Sequence, residues 1–392
     1  MYTIPLMKFA FIEEATTKRA LAEFIINAEK LSMGEQCLSF EKAFAEKQRT
    51  KHASLFNSGG SANLALLQAL KNLGRLKNGD RIGFSALTWS TNVMPIIQLN
   101  MVPVPIDCEI ETLNSSRQTL QVRIEETHLD AFFITNALGF TDDLAGIKDI
   151  CEERNIILIE DNCESLGTEL VEGRTGNFGV ASTFSFFVAH HMSTIEGGMI
   201  CTNDTELSDM ITIVRANGWD RNLSCNKQEQ LRKKYNVESE FQSKYTFYDL
   251  AYNLRPTEIT GFLGLTQLEY LDANIDKRYQ NYIEVEAALK ENRDFIVPNK
   301  SHIKKLSTFA IPFICKTSDK KDFYVRRFIE AGVEVRPMIA GNITKQPFYT
   351  KYVKESYKLP KTDYLHANAF YCGNYPELTS EDINLIKSLL AS

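Results

Sequence analysis

Three features predict an α/β fold: a large domain with a mostly parallel central sheet, followed by a smaller α+β C-terminal domain. First, apolar strand-like runs alternate with segments of helical periodicity over the first half of the chain. Second, the run Asn155-Ile156-Ile157-Leu158-Ile159-Glu160-Asp161 is apolar throughout until two closing acids, as suits a strand covered on both faces. Third, Ser58-Gly59, Trp89 and Asp161 each fall just beyond the end of such a run, where α/β sheets place their ligands. A chain of 392 residues has room for both units, and the boundary is expected at 276/277.

The elements follow in order. Residues 13–30 carry Ala20, Leu21, Phe24, Ile25 and Ala28 at helical spacing, and a turn at Gly34 leads into a second helix around Phe40, Phe44 and Ala45. A short strand at 54–57 runs into Ser58-Gly59-Gly60-Ser61 and a helix beyond. That turn is either a helix cap or a phosphate cradle, since glycines let the backbone approach an anion that the first-turn N–H groups face. Further strands are expected at 80–84, 102–106, 130–135 and 155–161, with a loop at Trp89 and a helix through Ile97. Residues 222–247 are polar and mixed in charge, a solvated surface loop or a substrate lid. A helix led by Pro256 and a long one from about 277 to 291 precede strands at 309–313 and 333–336, a helix at 322–332 and a closing helix.

Composition excludes several classes. With 24% charged residues and a net charge of −6, the chain lacks the basic footprint of a nucleic-acid binder. Its 8 cysteines are scattered without a CxxC pair, which fits reduced thiols rather than a disulfide framework, a zinc site or an iron–sulfur cluster. No apolar run approaches transmembrane length, and Lys8, Glu13 and Glu14 interrupt the N-terminal apolar residues before a signal-peptide core forms. The expectation is a cytoplasmic protein without metal and without a membrane partner.

The focal stretch is 181–201, ASTFSFFVAHHMSTIEGGMIC. Thr183-Phe184-Ser185-Phe186-Phe187 reads as a buried strand, and Gly197-Gly198 as a turn where the backbone passes something closely. His190 and His191 lie between. If residues 184–191 are extended, neighbouring side chains face opposite ways, so only one histidine of the pair can face a ligand.

Five motifs in order, NSGGSANL at 57–64, LTWST at 87–91, IEDNCESLG at 159–167, TFSFFVAHHMSTIEGG at 183–198 and YNLRP at 252–256, resemble the fold-type-I, PLP-dependent sugar aminotransferases of the DegT/DnrJ/EryC1/StrS family. The resemblance covers nearly the whole chain. It implies that Gly59, Gly60, Ser61 and Ser185 hold the cofactor phosphate and that Trp89 stacks on the pyridine ring. Asp161 would face the ring nitrogen, where an adjacent carboxylate keeps it protonated. Glu164 would lie near the cofactor hydroxyl. Asn253 would reach the partner subunit's cofactor, which implies a homodimer. Read from the residues alone, Trp89 is also compatible with core filling, and Asp161 with a helix cap.

The chain departs from most of the family at His190, where the others carry the lysine that binds PLP covalently. The resemblance of HHMSTIEGG, SMGE at 32–35, RANGWDRNL at 215–223 and VRPMIAGN at 335–342 is to a histidine-bearing dehydratase branch, not to the branch that adds an iron–sulfur cluster. It implies PLP and PMP held without a covalent link, L-glutamate as amino donor, and His190 as the group that moves protons. The implied reaction removes the C3 hydroxyl of a nucleotide-linked 4-keto-6-deoxy sugar, GDP-4-keto-6-deoxymannose in the first instance, toward a dideoxysugar of a surface polysaccharide. Two alternatives stand beside it: ordinary aminotransfer, or a relative that binds cofactor or sugar without turnover. His191 is read as a packing or hydrogen-bonded neighbour. Asn217, where close relatives are expected to carry histidine, and Arg336, whose planar fork suits carboxylate or phosphate but which also reads as a surface arginine, are the substrate candidates.

Overall fold

The computed structural model describes residues 2–391. Seven strands form the central sheet in the spatial order His52–Phe56, Gly198–Thr202, Ala181–Ser185, Ile157–Asp161, Ala131–Thr135, Arg81–Ser85, Val102–Ile106. Gly198–Thr202 runs antiparallel to both neighbours, and the remaining pairs are parallel. Residues 131–135 are buried throughout, which is why Ala131-Phe132-Phe133-Ile134 shows no polar alternation. Helix Gly59–Asn72 packs its Ala62, Leu66, Leu67, Ala69 and Leu70 into the same core as Phe84 and Ile159 from the sheet.

A second, antiparallel sheet orders Val335–Pro337, Ala369–Gly373, Ala310–Cys315 and Phe295–Ile296, packed by helices Ser318–Glu330 and Ser380–Leu389. The expected boundary at 276/277 falls inside helix Leu271–Glu291, which begins about six residues earlier than the sequence suggests. Ile4, from the other end of the chain, bridges Val333 and belongs to the core of this second sheet.

Two expectations need correction. The strand expected at 183–187 ends at Ser185. Phe186 N–H donates to Gly197 O at 2.9 Å, Thr194 N–H to Phe186 O at 2.9 Å, and His190 N–H to Phe187 O at 2.8 Å, so residues 186–196 form a compact connection between antiparallel strands. The alternation argument for the two histidines therefore does not apply, because its backbone is not extended. Residues 222–247 are not a plain loop either: Cys225–Lys234 is a helix with no buried residue, followed by the short helix Glu240–Ser243. Gln, Glu, Leu, Arg and Lys are good helix formers, and a helix that is polar on every side reads as irregular when apolar periodicity is the criterion.

Candidate active site

The carboxyl ends of the central strands open into a cavity of about 490 Å³. Its walls include Ser58, Gly59, Gly60, Trp89, Asn92, Asp161, Cys163, Glu164, Ser185 and His190, with Phe309, Tyr371 and Leu6 closing the opposite side. No lysine lines it among the described residues.

Ser58 caps helix Gly59–Asn72, its Oγ accepting from Ser61 N–H at 3.1 Å and donating to Ser61 Oγ at 2.9 Å. The first-turn N–H groups of a helix lack intrahelical partners, so this end presents donors to the cavity. Cβ atoms are excluded from the cradle. One on Gly59 would lie 2.7 Å from Ser185 Cβ, and one on Gly60 would lie 2.9 Å from Thr91 Cγ2. Gly198 has a purely structural reason: a Cβ there would lie 2.3 Å from the carbonyl oxygen of Ser58, where strand Gly198–Thr202 crosses the start of the cradle.

Asp161 ends its strand with the side chain almost fully buried. Its Oδ2 accepts from Asn92 Nδ2 at 2.6 Å and Asn63 Nδ2 at 3.1 Å, and its Oδ1 accepts from Cys163 N–H at 2.9 Å. No helix begins after Asp161, so it is not a helix cap. Two amide donors and one backbone donor fix the orientation of the carboxyl group. Asn92 is itself held, since Thr88 Oγ1 donates to its Oδ1 at 3.0 Å. Trp89 is 56% exposed at the cavity edge, which rules out core filling.

His190 sits in the turn after the Ser185 strand, its ring 5.1 Å from that of Phe309 and its Nδ1 buried without a partner. Burial, with the nearby Arg278 guanidinium, holds the imidazole down to about 3, so it is neutral near pH 7 and available to accept a proton. His191 is fully buried, its Nε2 3.2 Å from Ser307 O, and does not line the cavity. Glu164 takes Leu138 N–H at 2.8 Å, yet burial and the Asp161 charge push it up to about 7.

The fold thus gathers Gly59, Gly60, Trp89, Asp161, Glu164, Ser185 and His190 around one cavity. Ser61 stands one residue behind, bonded to Ser58. Asn217, Asn253 and Arg336 are not in its lining. Asn217 adopts a left-handed backbone with φ 58° and donates its N–H to Tyr252 O at 2.7 Å, a conformation asparagine tolerates better than most residues. Asn253 is exposed and accepts from Arg255 Nε at 3.0 Å. Arg336 is exposed, paired with Glu334, on the strand whose register sets it opposite cavity-lining Tyr371. Sequence reasoning missed Asn63 and Asn92, although the first lies inside NSGGSANL and the second directly follows LTWST. It also missed Tyr371, whose strand was not expected. Among the described residues no group of three or more His, Cys, Asp or Glu is placed to hold a metal ion, and no helix is long and apolar enough to cross a membrane.

Comparison with known proteins gives concordant matches. Residues 12–390 match the DegT/DnrJ/EryC1/StrS aminotransferase family. The GDP-4-keto-6-deoxy-D-mannose 3-dehydratase of Escherichia coli O55:H7 is 31% identical over 374 residues, covering 93% of this chain and 94% of that protein. A structure of the E. coli GDP-4-keto-6-deoxy-D-mannose 3-dehydratase with bound hydrated PLP superposes with a TM-score of 0.90 at 30% identity, covering 100% of both chains. A structure of a GDP-4-keto-6-deoxymannose 3-dehydratase with a trapped PLP-glutamate geminal diamine gives a TM-score of 0.90 at 30% identity, covering 99% of this chain and 100% of that one.

Proposed function

Since the chain belongs to the DegT/DnrJ/EryC1/StrS aminotransferase family, we propose that it removes the C3 hydroxyl of GDP-4-keto-6-deoxymannose, using PLP and PMP with L-glutamate as amino donor. One observation carries this reading: the cavity joins a glycine cradle and a buried carboxylate to an imidazole with a free Nδ1, and no lysine lines it among the described residues.

The residues fit the cofactor. Gly59, Gly60, Ser61 and Ser185 form a cradle that a Cβ would fill, suited to its phosphate. Asp161, its carboxyl oriented by three donors, suits the ring nitrogen, and exposed Trp89 offers a face to stack on. When bound, the cofactor supplies the transferable amino group and the electron sink that lets the C3 hydroxyl depart. The chain does the rest. His190, neutral and unpartnered, takes and returns the proton at the carbon undergoing chemistry; lacking an amine, it holds no cofactor covalently and cannot displace an amino product. Glu164, with its proton affinity raised toward neutrality, lines the same cavity and would serve as a second proton carrier near the cofactor hydroxyl.

The same reading assigns residues 1–276 to cofactor binding and 277–392 to the smaller domain. Membership of the family makes the working unit a cytoplasmic homodimer in which Asn253, exposed and outside the cavity lining of its own chain, would reach the partner's cofactor. Asn217 and Arg336 remain its substrate candidates, and the product is a 3-deoxy-4-keto sugar on the way to a dideoxysugar. The test is incubation with PLP, glutamate and GDP-4-keto-6-deoxymannose, followed by product analysis. Loss of the C3 hydroxyl with release of ammonia is expected; an accumulating amino sugar that keeps that hydroxyl would overturn the proposal.

A further inference from the structure

We propose that Arg278 is a positioning residue for His190: from helix Leu271–Glu291 its guanidinium grips the carbonyl of the histidine and places a buried cation beside that residue. The inference rests on the reading that His190 moves a proton. Arg278 is 4% exposed, and its four hydrogen bonds all end on amide oxygens. Nε donates to Asn274 Oδ1 at 2.8 Å, Nη1 to Phe309 O at 2.9 Å and to Asn374 O, and Nη2 to His190 O at 3.2 Å. One turn earlier, Asn274 Nδ2 donates to His191 O. Residues four apart share a helix face, so a single face holds both carbonyls of the histidine pair. The same guanidinium also fixes the carbonyl of Phe309, whose ring packs on His190.

Burying a cation among neutral acceptors is expensive, and an uncharged amide could tie carbonyls together at less cost. The cation stands next to His190, whose carbonyl it holds at 3.2 Å. Around His190 stand Arg278 from the helix, neighbouring His191, the carboxyl groups of Asp161, Glu164 and Glu196 on the cavity wall, and Tyr371 from the second sheet. Glu377 acts on Arg278 from the far side. Burial first and the guanidinium second oppose the imidazolium, so removing Arg278 releases part of that opposition.

The experiment uses full-length protein loaded with PLP and follows exchange of the glutamate α-proton in D2O by 1H NMR, which needs no sugar. Arg278→Gln, which keeps donors but drops the charge, is expected to slow exchange about tenfold or more, and its rate should fall off on the acid side at a higher pH than in wild type. Arg278→Lys should restore the position of that fall-off while leaving the rate below wild type. Cofactor affinity should change less than twofold in both. An Arg278→Gln protein with wild-type exchange and an unmoved fall-off overturns the proposal, as does a loss that follows cofactor affinity alone. Should Arg278→Gln not fold, Asn274→Ala decides, because it loosens the grip with the charge intact: slowed exchange supports the proposal and wild-type exchange overturns it. Failure of the dehydration reading would show in the sugar product with exchange unaffected, so the two outcomes are distinguishable.

Discussion

The two walls of the cavity are fastened by different means. On the sheet side, Asp161 is held through its own side chain, which accepts from Asn63, Asn92 and the Cys163 backbone. On the other side, His190 is held through its backbone, its carbonyl bonded to Arg278 and its ring resting on Phe309, while its Nδ1 is left without a partner. A carboxyl group whose task is to hold one orientation gains from every donor it collects. An imidazole whose task is to exchange a proton must keep a ring nitrogen free, so its orientation has to come from the main chain and from packing.

The sharpest way to separate the walls is His190→Asn. Removing the proton carrier should lower turnover by about 10²–10⁴-fold, while the cradle and Asp161 go on binding PLP. A cofactor titration set beside the glutamate-dependent change in the cofactor spectrum measures both. If affinity for PLP collapses along with turnover, the walls are one unit and the distinction fails.

A smaller effect is expected from the opposite wall. Asn92→Ala removes the 2.6 Å bond to Asp161 and leaves Oδ2 with Asn63 alone. Losing one buried hydrogen bond of two at that oxygen costs about 0.5–1.5 kcal/mol, which should appear as lower thermal stability and up to about tenfold weaker PLP binding, with a lesser change in turnover of the loaded protein. A turnover loss with unchanged affinity would show instead that the asparagine acts on the chemistry.

Legibility in the sequence followed the same division. Gly59, Gly60, Trp89, Asp161 and Ser185 sit on or just after parallel strands, whose apolar runs are local signals, and topology alone carries their ends to one edge. The turn at 186–196 could not be read this way. Its apolar Phe186 and Phe187 continue the pattern of the strand, and what ends the strand is the turn closed by Thr194 N–H on Phe186 O and His190 N–H on Phe187 O. Arg278, Phe309 and Tyr371 reach the site from 88, 119 and 181 positions beyond His190, and nothing local marks them as its neighbours. Asn63 lies inside a quoted motif and Asn92 directly after one, yet neither received a role. An asparagine shows what it donates to only when its acceptor is located.

Glu164 lies between the two walls and gives the smallest and most specific test. Its carboxyl is pushed up to about 7 from an ordinary value of 4.5, by burial first and by the Asp161 charge in addition, against the lowering effect of Leu138 N–H. Between those two values the folded chain keeps a proton that the unfolded chain has released, so this group makes stability fall as pH rises through the window. Glu164→Gln keeps an acceptor for Leu138 N–H and cannot ionise. Its stability relative to wild type should therefore increase as pH rises from about 4.5 to about 7 and level off above, by an amount on the order of 1 kcal/mol once solvent reaching the half-buried carboxyl is allowed for. Thermal melts of the cofactor-free proteins across that range measure the difference. A difference independent of pH would mean that Glu164 is already ionised in the folded chain, which would place it with Asp161 as a fixed charge and leave His190 as the one proton carrier of the site.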